Sequence, residues 1–305
     1  MMSRPVGWFV AIASWALFLP AGSASTIRDD VSDSAYTGLA ADPAYAGVGM
    51  IVKNNGSQLF LSAGTLISSD WVLTAAHVVS DATALTFTIN GNSYTADSWT
   101  YYPTYNSSTY GDDIGLLHLN ASVANAAPAS LYTAATSSLL GQTATFVGYG
   151  ATGTGLTGYI ASQHGTKRAV QNVLDTTENL QLGSAYSSSV LMSDFDNPHS
   201  AAGNVMGSAT PLPLEGLAAL GDSGGGVFVT SGGTTYLAAV TSVLYAPDNI
   251  ADASYGDLSG CVAVPGYVGW IDATTGIVPE PSTLAMLVGV GVAWLAWRRR
   301  TRFSR

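Results

Sequence analysis

"LGDSGGGVFV", residues 220–229, is the stretch on which the reading of this chain turns. Turns of Gly, Asp and Ser form for local reasons, because Gly supplies positive φ and Asp and Ser bond to nearby backbone. A serine hydroxyl is also a poor nucleophile at neutral pH until a base is placed beside it. Ser223 therefore gains chemistry only if the chain also supplies a base, an acid that orients the base, and a suitable compartment.

Four histidines are available as base. His77 lies in "WVLTAAHVV" (71–79), just after a strand pattern that anchors its backbone, and the small residues before it leave room for a ring to project. His118 falls inside the alternating strand "IGLLHLN" and reads as structural, while His164 and His199 sit in polar stretches read as loops. An imidazole base needs a buried acceptor to fix its tautomer and stabilise its charged form. "YGDDIGLLHL" (110–119) offers Asp112 and Asp113 at the entrance to an apolar strand, with Asp113 next to Ile114 and partly desolvated. The bland alternative is a capped loop with two solvated aspartates. In the opening stretch, the N–H groups of Gly221 and Ser223 are candidates to hold an oxyanion, since glycine lets backbone approach a substrate closely.

The body of the chain is acidic. Among the 305 residues are 34 Gly, 15 Tyr and only ten Lys plus Arg. Residues 26–277 carry four basic side chains (Arg28, Lys53, Lys167, Arg168) against nineteen acidic ones, a net charge of about −15. Nucleic acid is excluded as a partner, because phosphate must be met by positive charge. No metal-binding cluster or nucleotide loop is apparent, so no cofactor is expected. The single cysteine, Cys261, forbids an intrachain disulfide and reads as a packed thiol.

Both ends read as processing segments. Residues 1–25 combine an early arginine, an apolar run from Val6 to Leu19 and the small residues "AGSAS", the layout of a signal peptide cleaved near Ala24 or Ser25. An N-terminal anchor is the competing reading, but the run is shorter than the ~20 residues a bilayer needs. At the other end, "VPEPSTLAMLVGVGVAWLAWRRR" (278–300) joins Pro279-Glu280-Pro281, an uncharged stretch and an arginine cluster. Such a segment reaches most of the way across a bilayer, with the arginines holding its end on the cytoplasmic side. The three parts resemble the PEP-CTERM sorting signal of Gram-negative bacteria, whose tail an exosortase removes. An ordinary single-pass anchor is the alternative, and either places the body outside the cytoplasm.

Between the ends, "GMIVKN", "QLFLSAGTLIS", "WVLTAAHVV", "ALTFTIN", "NSYTADSWTYY", "IGLLHLN", "TATFVGYG" and "TYLAAVTSVLY" have the β-branched and aromatic content of strands. "NNGSQ", "NGNS", "NSSTYGDD", "ATGTGLTG" and "TSGGTT" read as turns. The spacing predicts an all-β sandwich or barrel, with a short helix starting only in "GYVGWIDA" (266–273). Residues 26–42 read as a lead-in, and 120–142 as a connection dividing the body into units of about 43–130 and 138–276.

"LTAAHVV", "DDIGLLHL" and "GDSGGG", in that order, resemble the trypsin/chymotrypsin-like serine protease family. "SAGTLISSDWVLTAAH" is similar to the family's approach to its histidine, "FVGYG" to its Gly-aromatic-Gly strand, and "YVGWID" to its C-terminal helix. The resemblance spans most of residues 44–273 and implies two antiparallel six-stranded barrels with the active site between them. It also implies a triad of His77 as base, Asp113 as orienting acid and Ser223 as nucleophile. Gly221 and Ser223 form the oxyanion hole, and Asp222 is the buried acid that in activated members pairs with a new N-terminal amine. The chain departs from the pattern in three places. Gly226 stands where the family has Pro, with a looser backbone expected. No Ile-Val-Gly-Gly start or basic cleavage site precedes His77, so an amine freed at Ile27 is one candidate partner for Asp222. Leu217 stands at the pocket base, six residues before Ser223, and the wall falls within Thr241, Ser242, Val243 and Leu244 with the register open by one residue. An apolar base cannot pair a Lys or Arg side chain, so small or apolar residues are expected before the cut. The expected function is an exported serine endopeptidase acting on protein or peptide substrates. The alternatives are a catalytically silent surface binding protein on the same fold, or an esterase using the same triad.

Overall fold

The computed structural model describes residues 21–22, 24–178, 190–201 and 204–277. The signal-peptide reading of 1–25 falls almost wholly outside the described residues, and the hydrophobic tail at 278–305 lies entirely outside them. The chain forms two compact units, one through Val268 and one from Gly269.

The first half of the larger unit is a closed six-stranded antiparallel barrel. In barrel order the strands are Val48–Asn54, Leu59–Leu66, Trp71–Thr74, Gly115–Leu119, Asn92–Tyr101 and Ala84–Ile89. Closure follows from patterning: in Ala84–Ile89, Leu85, Phe87 and Ile89 are buried while their neighbours are not, the period-two burial of a strand with one face on a core. Each such side chain contributes ~1.5–3 kcal/mol on burial. Five of the six barrel strands lie within segments whose patterning predicts strands, and the sixth, Val48–Asn54, begins one residue before its segment.

The second half is a curled seven-stranded sheet rather than a closed six-stranded barrel. Its order is Arg168–Val173, Thr143–Gly148, Gly226–Ser231, Thr234–Tyr245, Leu258–Ala263, Val190–Asp194 and Thr176–Glu178. The hairpin between Gly226–Ser231 and Thr234–Tyr245 turns on Gly232 and Gly233, at φ 58° and 80°, the paired positive values that a two-residue turn matching strand twist requires. A further five-stranded sheet joins Ala21–Gly22, Gly158–Gly165, Ala151–Thr154, Ser25–Ile27 and Gly216–Leu217. The fold is all-β and chymotrypsin-like, with few helices and a short one, Val268–Thr275, near the C-terminus. In the smaller unit this helix carries Thr274 and Thr275, whose hydroxyls donate to the carbonyls of Trp270 and Ile271.

Three local expectations are corrected. The supposed lead-in holds a strand, Ser25–Ile27, and a helix, Asp33–Ala40. The fully buried Tyr36 of that helix donates its hydroxyl to Glu215 O at 3.0 Å, and Asp33 forks onto the buried Arg168 at 2.5 and 2.6 Å. "ATGTGLTG" opens with a strand, Ala151–Thr154, because Thr152–Thr154 pair with Ser25–Ile27. His164 lies in the strand Gly158–Gly165 and is buried, not looped out. The connection at 120–142 is anchored by a bridge between Leu131 and Leu237 and by Tyr132, which packs in the core of the second half. Cys261 is fully buried between strands, its thiol 3.5 Å from Leu191 O and pushed up in pKa by burial.

Candidate active site

His77 rides on a four-residue helix, Ala76–Val79, that follows directly from the barrel strand Trp71–Thr74. Its position is pinned twice through its own backbone. The His77 N–H donates to Asp113 Oδ1 at 2.8 Å, and the Lys53 ammonium donates to His77 O at 3.0 Å while pairing with Asp81 at 2.6 Å. Gly115 lets the helix sit close, since a Cβ there would meet Val79 Cγ2 at 2.9 Å and Ala75 O at 3.2 Å.

The His77 ring meets Asp113 through Nδ1, 2.7 Å from Oδ2. Asp113 is fully buried, and Ser242 Oγ donates to the same Oδ2 at 2.5 Å. With Nδ1–H given to the carboxylate, Nε2 is left as the basic nitrogen, the tautomer a general base needs. The Tyr110 ring stands edge-on to His77, centroids 5.6 Å apart. Neither aspartate of the pair is solvated. Asp112 is also buried, accepting from Thr104 Oγ1 at 2.5 Å and from the Tyr267 hydroxyl at 2.7 Å.

Ser223 and His77 line one cleft that opens to solvent. In the turn before and after Ser223, three N–H groups are consumed internally: Asp222 donates to Ala219 O, Gly224 to Thr241 O, and Gly225 to Asp222 O. The N–H groups of Gly221 and Ser223 have no acceptor among the described residues. They are the two donors named from the sequence. Glycine is obligatory in this turn. Gly221 and Gly224 have φ of 93° and 81°, and a Cβ on Gly224 would collide with Thr74 Oγ1 and Ala63 O.

Asp222 is buried and makes four contacts. It accepts from Ala219 N at 2.9 Å, Gly150 N at 2.8 Å, Ser25 N at 3.1 Å and Ser25 Oγ at 2.9 Å. Burial raises its pKa, and these hydrogen bonds work against that rise. The residue that reaches Asp222 is thus Ser25 and not Ile27, whose backbone is committed to pairing with Gly216 and Thr154.

The long strand carries a bulge between Thr241 and Val243. It gives the Ser242 hydroxyl to Asp113, and Thr241, Val243 and Leu244 line the cleft beside it. Leu217 does not reach the surface. It packs in a cluster with Phe195, Ala219 and Ala253, one layer behind a lining of Ala218, Ala219 and Leu220. Tyr159 and Ala251 also line the cleft, and nothing in their sequence context marks them. Gly226 is tight, not loose, because a Cβ there would meet Phe228 Cε2 and Thr65 Oγ1, each at 2.6 Å.

A closed β-barrel, a curled sheet and a cleft holding His77 and Ser223 define the class: a chymotrypsin-like serine hydrolase. The family model described as Trypsin matches residues 42–271, and the chain belongs to that family. It is a serine-type endopeptidase. A model of the PEP-CTERM protein-sorting motif matches residues 278–300, which indicates export in a Gram-negative bacterium and membrane-associated sorting. No curated protein matches the chain. Among solved structures, an HL collagenase is similar at 20% identity with a TM-score of 0.58, covering 80% of this chain and 97% of that one; at that identity the likeness speaks for the fold alone. Among the described residues no helix is long and apolar enough to cross a membrane.

Proposed function

We propose that the chain hydrolyses peptide bonds through an acyl-enzyme on Ser223. His77 Nε2 takes the Ser223 proton as the hydroxyl attacks the scissile carbonyl, and returns it to the leaving amine. Asp113 holds the imidazole and stabilises its charged form. The oxyanion is received by Gly221 N–H and Ser223 N–H. The observation that carries this reading is the pair of unspent donors on either side of Asp222, in the turn whose Ser223 shares a cleft with His77. A binding module has no use for them, and no observation favours the silent alternative.

Residues before the cut are small or apolar in this reading. The lining of Ala218, Ala219, Val243 and Leu244 carries no charge, and an unpaired buried cation is costly. The substrates are exported or extracellular proteins, reached from the periplasm, cell surface or matrix after a signal peptidase and an exosortase-type enzyme process the two ends. A peptide library profiled with the mature protein tests the reading. Cleavage after Ala, Val or Leu is expected at least tenfold faster in kcat/KM than after Lys or Arg, and is lost in Ser223→Ala. Preferred cleavage after Lys or Arg contradicts the pocket assignment.

A further inference from the structure

We infer that Lys53 is a positioning residue for the catalytic base: its ammonium holds His77 by the main-chain carbonyl, and Asp81 holds the ammonium. This rests on the reading of His77 as general base, and it adds a residue that no motif in the sequence marks.

The burial pattern singles Lys53 out. Along Val48–Asn54 the buried positions Gly49, Ile51 and Lys53 alternate with the half-buried Met50, Val52 and Asn54. A lysine therefore stands on the covered face of the strand, where period-two patterning calls for an apolar side chain. Lys53 is 9% exposed, in a body where residues 26–277 carry only four basic side chains. Lysine is almost never buried so far unless paired, and for stability alone a packed apolar residue would serve as well or better. The ammonium has another use.

That use is a backbone group the fold leaves over. The helix Ala76–Val79 is a single turn, and it closes with Ser80 N donating to Ala76 O. A helix end leaves its last carbonyls without an intrahelical donor, and His77 O is one of them. Lys53 Nζ donates to His77 O at 3.0 Å and to Asp81 Oδ1 at 2.6 Å. One ammonium thus ties the residue carrying the imidazole to the chain leaving its turn. The Phe60 ring, on the residue paired with Lys53 in the next strand, has its centroid 5.0 Å from Nζ, a distance at which a ring face attracts a cation. Burial pushes the Asp81 carboxyl up in pKa, but the hydrogen bond and charge of Lys53 outweigh it and hold the group below its ordinary value. The partner of the ammonium stays ionised.

The consequence falls on the reaction. Asp113 takes the His77 N–H and Lys53 takes the His77 C=O, so the base is held at both of its main-chain groups. With the carbonyl released, the turn is free to pivot about the Asp113 contact. A small misplacement of Nε2 relative to Ser223 is costly to the rate. The cleft lining of Ala218, Val243 and Leu244 belongs to other segments and is left in place. Loss of Lys53 is therefore expected in kcat and not in KM.

Steady-state kinetics and proton NMR on the exported protein test this. Lys53→Met keeps an unbranched stem without the charge, and kcat is expected to fall about tenfold or more with KM within about twofold. Lys53→Arg retains a cation that can reach both oxygens, and is expected to stay within about threefold of wild type. The Asp81 side chain is 58% exposed, so Asp81→Asn disturbs little packing. It is expected to lower kcat by about threefold alone and to have no further effect in the Lys53→Met background, because it acts through the ammonium. The His77 Nδ1 proton, held by Asp113, is expected as a downfield resonance that is sharp in wild type and Lys53→Arg and broadened by solvent exchange in Lys53→Met. Wild-type kcat and an unchanged resonance in folded Lys53→Met overturn the inference, as does a loss of kcat shared equally by Lys53→Met and Lys53→Arg. Should Lys53→Met not fold, Asp81→Asn decides by the same two readouts. The resonance reports the His77–Asp113 contact whether or not a peptide is cut. The expected resonances in a chain that never turns over substrate would leave the positioning role standing and remove the peptidase reading.

Discussion

Asp113 shows how much a single side chain is asked to do. Its two oxygens hold the His77 backbone, the His77 ring and the Ser242 hydroxyl, so the imidazole is fixed in both place and tautomer. Asp113→Asn keeps the shape but offers a donor where an acceptor is needed, and a loss in kcat on the order of 10⁴ is expected. Ser242→Ala removes one hydrogen bond to a charged group and is expected to cost about tenfold in kcat with KM little changed. Steady-state kinetics on a chromogenic peptide check both. His77, Asp113 and Ser223 were legible because each stands in a short motif with its neighbours in sequence. The Ser242 contact was not, since it depends on a bulge that leaves Thr241 and Val243, but not Ser242, paired across to Cys261 and Gly260.

At the scale of elements, the strand beginning at Gly226 continues directly from the turn at 221–225. It pairs with Val147 on one side and Val240 on the other, so the turn is held by two neighbours of the second half. Gly226→Ala would push Cβ into Phe228 and Thr65, and destabilisation of roughly 1–3 kcal/mol is expected from overpacking. Urea unfolding would measure it, and an unchanged midpoint would mean the strand end yields more readily than its contacts indicate. Strands with one wet face, such as Ala84–Ile89, could be read from alternation. Val190–Asp194 and Leu258–Ala263 are buried on both faces and carry no alternation. Gly158–Gly165 is mostly exposed and polar, so pairing makes it a strand and its own composition does not. The helix Asp33–Ala40 escaped notice because it buries only Tyr36 and Ala40 and contains Gly38.

The whole molecule is a strongly acidic body whose few cations are placed with care. Lys53 braces His77, Arg168 holds the N-terminal helix, and Lys167 donates to Tyr45 O at 2.6 Å. Several carboxylates are buried or half-buried without such help. Burial raises Asp175 to about 6, and Glu215 and Asp257 each to about 7. A carboxyl with a raised folded pKa keeps its proton longer in the folded state than in the unfolded one. The folded chain therefore binds more protons between roughly pH 4 and 7, and stability falls as pH rises through that window. Asp257, with Oδ2 buried and unpartnered, isolates the effect. The melting temperature of wild type is expected to drop relative to Asp257→Asn as pH goes from 4 to 8. Parallel curves would mean that Asp257 is solvated.

The all-β architecture was readable from this chain, and the acid-buried interior was not, because burial of a given Asp is decided by tertiary contacts. The central claim is that Ser223 is the nucleophile. Reaction of the exported protein with a serine-directed phosphonate bearing an apolar side chain, followed by peptide mapping in a mass spectrometer, tests it most directly. A single adduct on Ser223 is predicted, formed in wild type and absent in His77→Ala. An adduct on any other residue, or none on protein whose melting curve shows it folded, would contradict the account.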